Sequence, residues 1–373
     1  MITITEAKTK KEMNDFVQFP FGLYKGNPYW IPPIINEELE SFDSSVNPAF
    51  EHAEAHFFLA RKEGKIVGRT AVIVNWAEVN QLGKRKVRFG WFDVIDDIEV
   101  TRALLEKAHE MARKHNLDNI EGPMGFSNLD KVGVLTEGFD EIGTMITWYN
   151  YPYYKDHFEQ LGFVKEKEWL ESRFKLPTDE MIAPILKADA MIRRRYNLKA
   201  INFTNTKDIM PYVDRMFELF NETYARLSSF VAVSDTQIAY FKKKYIGMIN
   251  PEYIKFVEDE NGKMLAFCIV MPSLSEALQK TKGKLFPFGF LHLLWAKKHT
   301  KEVLFYLIGV QPEYQNKGLT AVIMAEYYKS FKANGIETCI RTPELEENNS
   351  IQNLWKNFNP VIHKRRRTYI KHL

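Results

Sequence analysis

The sequence predicts an α/β (α+β) fold built from two related units in tandem, and three observations carry that expectation. Residues 303–310 form an unbroken apolar run long enough for one buried strand. After a turn, Leu319, Val322, Ile323, Tyr327 and Phe331 recur at helical spacing. The order of strand-like and helix-like stretches is found twice along the chain. Two pairs of landmarks, Gly64 with Gly262 and Asn150 with Asn348, share one separation of 198 positions. A length of 373 residues suits two domains, expected here as 1–176 and 177–373.

In order, residues 1–4 read as a strand, and a helix runs from Glu6 past Phe16. The Pro-rich aromatic stretch 27–33 reads as a rigid loop. Residues 55–60 and 66–74 form a hairpin about Gly64. A strand at 88–95 precedes a helix at 100–115, with Leu104, Leu105, Ala108, Met111 and Ala112 on one side. The joining turn, 93–99, holds Asp93, Asp96, Asp97 and Glu99 and no glycine. Those acids complement a helix N-terminus and would repel a phosphate. Residues 118–121 are a strand, and 122–143 a long Gly-bearing loop, either an insertion or a lid. A helix near 150–163 leads to a closing strand at 169–176.

The second unit repeats the order. Helices at 185–196 and 208–226 flank a strand at 199–203, and 253–258 pairs with 264–271 about Gly262. The strand–turn–helix of 303–331 follows, then a strand at 337–341, a last helix at 348–358 and a last strand around 368–371. Residues 285–298 are extra here. Phe288, Leu291, Leu294 and Trp295 share one helical face, expected to pack between the two units, with a pocket cover or a membrane contact as alternatives. His292 within it reads as a packed or surface residue.

Lys plus Arg total 51 against 48 Asp plus Glu, a balance that argues against a nucleic-acid partner. The basic run 363–367 reads as a solvated face of a strand. Cys268 and Cys339 are the only cysteines, so neither a disulfide framework nor a Cys-rich metal site is expected. No stretch approaches the roughly 20 apolar residues of a membrane span. The N-terminal residues lack a signal-peptide core, and a cytoplasmic location is expected.

The turn of 311–318 carries the chemistry. The first N–H groups of a helix have no internal partner and the helix dipole places partial positive charge there, so a strand–turn–helix is an anion site. Gly318 lets the backbone approach a ligand, and Asn316 and Lys317 add donors and a charge. The run V-x-P-x-Y-Q-N-K-G-L-T resembles the acyl-CoA pyrophosphate loop of the GNAT N-acyltransferase superfamily, Gln/Arg-x-x-Gly-x-Gly/Ala, with Thr320 at the final position.

That resemblance implies two tandem GNAT-like domains, each a mixed central sheet flanked by helices, the N-terminal copy degenerate, without the loop and without bound CoA. In the C-terminal copy, Leu307, Ile308, Gly309 and Val310 would pair with the pantetheine arm of acetyl-CoA. An N–H near Gly309 would stabilise the oxyanion. Gln315, Asn316, Lys317, Gly318, Leu319 and Thr320 would hold the pyrophosphate, and Asn348 would touch the cofactor. The tyrosine that commonly serves as acid falls on Trp355, and on Phe158 in the first unit, so the catalytic group stays open, with Gly309, Tyr306 and Glu344 as candidates. Tyr314, Tyr327, Tyr328 and Glu302 are also near in sequence. The implied activity is transfer of an acetyl group to a small-molecule or peptide amine. A CoA-binding regulatory protein without catalysis, and an aminoacyl transferase of the cell-wall branching type, are the alternatives. Acceptor and oligomeric state are not legible.

Overall fold

Side-chain caps set where several of the helices begin. In the computed structural model, which describes residues 1–127, 129–225 and 230–373, strand β1 (Ile2–Glu6) leads to α1 (Lys10–Leu23). The helix starts at Lys10 rather than Glu6 because Thr9 and Glu12 form a reciprocal capping box. Helix α2 (Ile35–Ser41), strands β2 (Ala53–Lys62) and β3 (Lys65–Asn75), and α3 (Trp76–Leu82) follow. Next come β4 (Lys86–Val94), α4 (Ile98–Lys114), β5 (Asn119–Gly122), β6 (Val134–Glu137), α5 (Tyr153–Gln160) and β7 (Val164–Lys175).

The chain continues through α6 (Asp179–Tyr196), β8 (Lys199–Asn202), α7 (Thr206–Tyr224), α8 (Asp235–Tyr245), β9 (Ile254–Glu258) and β10 (Met264–Pro272). Arg226, the expected end of α7, lies outside the described residues. Then come α9 (Ser275–Thr281), α10 (Gly289–His299), β11 (Glu302–Val310), α11 (Leu319–Ala333), β12 (Thr338–Leu345), α12 (Asn349–Trp355) and β13 (Val361–His372).

The two units do not divide at 176/177. One consists of residues 1–170, 275–292 and 363–373, the other of 171–274 and 293–362. The cause is hydrogen bonding. The last strand, β13, pairs antiparallel with β5 (Tyr369↔Gly122, His372↔Asn119), so the chain end belongs with the N-terminal residues. The second half of β7 belongs to the second unit, where Phe174 packs its ring at a tilt against Phe305, Trp355 and Phe358.

In the first unit, β1 to β4 form an antiparallel run, and β4 then pairs in parallel with β5. Helix α4 packs Val100, Leu104, Leu105, Ala108 and Met111 against this sheet. In the second unit, β8, β9, β10 and β11 are antiparallel neighbours, and β11 pairs in parallel with β12. Helix α11 buries Val322, Ile323, Tyr327 and Phe331 against the sheet. Each unit therefore has a mixed sheet with flanking helices.

Charges buried in the first unit come paired. Glu78 meets Lys86 and Arg88, each at 2.8 Å, and Lys86 also meets Glu121 at 2.6 Å. Burial raises the Glu78 carboxyl, but Arg88 and Lys86 outweigh it and its pKa stands below the usual 4.5. A depressed carboxyl contributes stability above its unfolded pKa and loses it as pH falls through the folded value. Glu78→Ala leaves buried Arg88 without a carboxylate and Lys86 with Glu121 alone, and a loss of about 3–5 kcal/mol is expected at neutral pH. Chemical denaturation of both proteins checks this, and the gap should narrow below about pH 4 as the wild-type carboxyl takes up its proton.

Candidate functional site

Strand β11 is where the sheet opens. Its parallel pairing with β12 runs from Glu302↔Thr338 to Phe305↔Arg341 and stops, although β11 continues to Val310 and β12 to Leu345. At the same place β11 bulges against β10: Val270 faces Phe305, Ile269 faces Leu307, and Tyr306 is the extra residue. Beyond the bulge, one edge of β11 has no strand beside it.

The register decides which groups that edge presents. Gln311 N–H donates to the Leu265 carbonyl at 2.8 Å. In an antiparallel ladder the bonded residues alternate, so Gly309 and Leu307 also point their N–H and C=O at β10. Ile308 and Val310 point theirs at the opening. Two contacts agree: the Tyr224 hydroxyl donates to the Ile308 carbonyl at 3.2 Å, and Gln315 Nε2 donates to the Val310 carbonyl at 3.2 Å. The donor expected at Gly309 therefore moves to Ile308 and Val310. Gly309 has a different role: a Cβ there would come within 2.3 Å of the Phe267 ring and 3.0 Å of Thr223 Oγ1.

The turn below the opening is built as an N-terminus without a cap. Residues 312–314 make a single 3-10 turn, Asn316 has φ of 62°, and Gly318 has φ of 85° at the N-cap, with no side chain bonding the helix start. The N–H groups of Leu319 and Thr320 lie at the first helical positions, where no intrahelical carbonyl precedes them. A Cβ at Gly318 would meet Ile192 Cδ1 of α6 at 2.5 Å, so both backbone sign and space require glycine. Arg193 of α6 bonds Glu326 of α11 at 2.8 Å and fixes this packing. Lys317 is exposed, over the ring of Tyr314 at 4.9 Å and of Tyr196 at 6.0 Å, and Arg195 stacks on Tyr196 as well. Bare donors, close approach and two cations fit a diphosphate.

Glu344 lies on β12, past the point of separation. Burial raises its pKa, against the lowering influence of Arg341 and of the Trp355 N–H. Trp355 Nε1 donates to Glu344 Oε1 at 2.9 Å, and Arg341 bonds Glu344 and Gln352. The aromatic ring at 355 therefore does more than pack. Gln352 Nε2 and Arg341 Nε are buried without a partner among the described residues. Tyr224 from α7 is the residue that sequence reading missed. Burial pushes its hydroxyl well above the ordinary range, with Glu344 and Tyr306 among the groups near enough to add to the shift. Only the end of an amphipathic helix marked it in the sequence.

The remaining candidates separate. Tyr327 donates to the Tyr253 and Cys268 carbonyls in the core, and Tyr328 bonds Asp179. Asn348 caps α12, its side chain accepting from Ile351 N–H at 3.4 Å. Gln315 and Asn316 are exposed beside the helix start.

With sheet, opening and turn described, the likeness to known proteins has a physical basis. A tandem GNAT protein from the clavulanic acid biosynthesis pathway superposes with a TM-score of 0.59 at 12% identity, over 100% of this chain and 98% of that one. The fold is that of the GNAT acyltransferases. A GCN5-related N-acetyltransferase from Sphaerobacter thermophilus gives a TM-score of 0.53 at 8% identity, over 100% and 95% of the two chains. No family profile matches the sequence. The chain is 28% identical over 374 residues to Protein YghO of Escherichia coli (strain K12), covering 98% of this chain and 94% of that protein. It is 26% identical over 325 residues to bacterial ceramide synthase of Caulobacter vibrioides (strain NA1000 / CB15N), covering 84% and 82%.

Within this GNAT fold the Trp355–Glu344 bond is open to a direct test. Trp355→Phe keeps a ring and removes the donor, leaving a buried carboxyl short of one partner. A loss of about 1–3 kcal/mol is expected in denaturant unfolding, with Glu344 titrating still higher by NMR.

Proposed function

We propose that this protein is an acyl-CoA-dependent N-acyltransferase, with acetyl-CoA the simplest donor, acting on a small-molecule amine. One observation carries the reading: the N–H groups of Ile308 and Val310, without a partner among the described residues, lead along one strand and turn to the start of α11 at Gly318, which no side chain caps. An extended amide-bearing arm ending in a diphosphate matches that sequence of donors. The named activity of the Caulobacter relative supports an acceptor whose amine carries an apolar chain. The bulge and parting strands found in both units support descent of the two from one ancestral domain.

The donor supplies an activated acyl thioester when bound. Ile308 and Val310 would hold it, with the amide nearest the carbonyl stabilising charge on its oxygen, a contribution of about 10²–10³ in rate. Glu344 takes the proton from the amine as nitrogen bonds to the acyl carbon. The carbon–sulfur bond breaks, and the sulfur regains a proton from the Tyr224 hydroxyl or solvent. Burial makes Glu344 more basic than an ordinary carboxylate, the direction a general base needs.

A thermal-shift series with CoA, acetyl-CoA and long-chain acyl-CoA tests donor binding, since a ligand that binds only the folded state raises the melting point. A rise is expected for the wild type and none for Gly318→Glu, which fills and charges the turn. An equal rise in that variant overturns the reading. Glu344→Gln should retain the shift while turnover of a long-chain amine falls about 10²–10⁴-fold. Because the Glu344 pKa is raised, activity should climb with pH through a value above 4.5, and that limb should vanish in the Gln variant.

A further inference from the structure

Between Phe286 and Trp295 the chain exposes what proteins usually bury. Among the described residues every strongly exposed Phe and Trp lies here: Phe286 at 86%, Phe288 at 71%, Phe290 at 40% and Trp295 at 62%, joined by Leu291 at 50% and Leu294 at 55%. The expectation that this helical face packs inside the protein is therefore corrected. On α10, Phe290 and Leu294, and Leu291 and Trp295, stand four apart and Leu291 and Leu294 three apart, so the four form one continuous face. Phe286 and Phe288 extend it from the turn before the helix.

That turn is held in place. Phe290 N–H donates to the Leu285 carbonyl at 2.8 Å, Lys284 N–H to the Thr281 carbonyl at 3.0 Å, and Ile35 N–H to the Gly283 carbonyl at 2.9 Å. A Cβ at Gly289 would lie 2.0 Å from the Lys284 carbonyl oxygen, so the chain doubles back tightly there. The aromatic side chains are projected by a fixed backbone.

Charge distinguishes the occupant. From Ala277 to Lys301 there is no Asp or Glu, while Lys280, Lys282, Lys284, Lys297, Lys298 and Lys301 are all cations. Lys301 is engaged with Glu337 and Lys297 with the Gly247 carbonyl. Lys280, Lys282, Lys284 and Lys298 are exposed. Protein–protein interfaces are depleted in lysine. Exposed apolar and aromatic side chains in a stretch whose charged residues are lysines and not carboxylates match an anionic bilayer surface, where the rings sit among acyl chains and the ammonium groups among phosphates. No helix among the described residues is long and apolar enough to cross a membrane, so the contact would be interfacial.

We propose that residues 282–298 dock this protein on the surface of anionic lipid membranes. The inference stands apart from acyl transfer, since lipid binding needs no turnover and no CoA. Flotation of the full-length protein with phosphatidylcholine vesicles, with and without about one third phosphatidylglycerol, tests it. Binding is expected to the anionic vesicles and to weaken with salt. The triple substitution Phe286→Ser, Leu291→Ser, Trp295→Ser should abolish it while the thermal melt stays unchanged, because these side chains have little to lose on folding. Charge removal at Lys282, Lys284 and Lys298 should lower the affinity about fivefold per lysine. Failure of the wild type to float overturns the proposal. So does undiminished flotation of the triple variant, or sedimentation showing that these residues are covered by a second copy of the chain.

Discussion

The parting of β11 from β12 after Phe305 sets the rest of the second unit. A strand in the middle of a sheet has both edges paired, and a dry, unpaired backbone group costs as much as a lost hydrogen bond. Here one edge of residues 306–310 loses its neighbour while β10 holds the other. The protein partly compensates: Tyr224 meets the Ile308 carbonyl and Gln315 the Val310 carbonyl. Both contacts satisfy acceptors. The N–H groups of the same residues stay turned toward the opening.

The first unit opens in the same way and closes the gap with its own side chains. Pairing of β4 with β5 ends at Arg88↔Glu121, and β4 bulges between Gly90 and Asp93. Val94 N–H, at the end of that strand, donates to the Tyr154 hydroxyl at 2.8 Å. Tyr24 bonds Tyr154 and Asp93, and Asp93 is paired with buried Arg69 at 2.7 Å. The loop after β5 adds Met124, whose N–H donates to the Phe89 carbonyl at 2.8 Å. At the start of α4, Asp97 accepts from Glu99 N–H and pairs with Lys62. A carboxylate thus fills the place where an anion would bind, and the acids at 93–99 serve this closure.

Much of this was legible from patterning. Apolar runs located β3, β4, β10 and β11 because buried strands need them, and helical spacing located α4 and α11. Gly318 could be read because left-handed backbone and close packing both demand glycine. Three things were hidden. The exchange of terminal strands depends on which edge β13 meets, and a strand's own sequence does not encode its neighbour. The choice of Ile308 and Val310 over Gly309 depends on the bulge at Tyr306, where one extra residue reverses the direction of every later N–H. Tyr224 reaches the site from a helix more than 80 positions earlier, with no local motif to mark it. The long loop 122–143, one residue of which, Asn128, lies outside the described residues, looked structureless because its hydrogen bonds are to β4 and β13 rather than within a periodic element.

Trp355, where the family pattern has a tyrosine, uses its ring nitrogen to position a carboxyl. An indole N–H is too weak an acid to protonate a leaving thiolate, and here it is already given to Glu344. That bond, with Arg341 on the other carboxylate oxygen, orients a carboxyl that burial makes more basic than usual. Tyr224 brings a hydroxyl to the same strand, bonded to the Ile308 carbonyl at 3.2 Å. A carboxyl from β12 and a hydroxyl from α7 thus lie near one another at β11, where Tyr224 meets the Ile308 carbonyl.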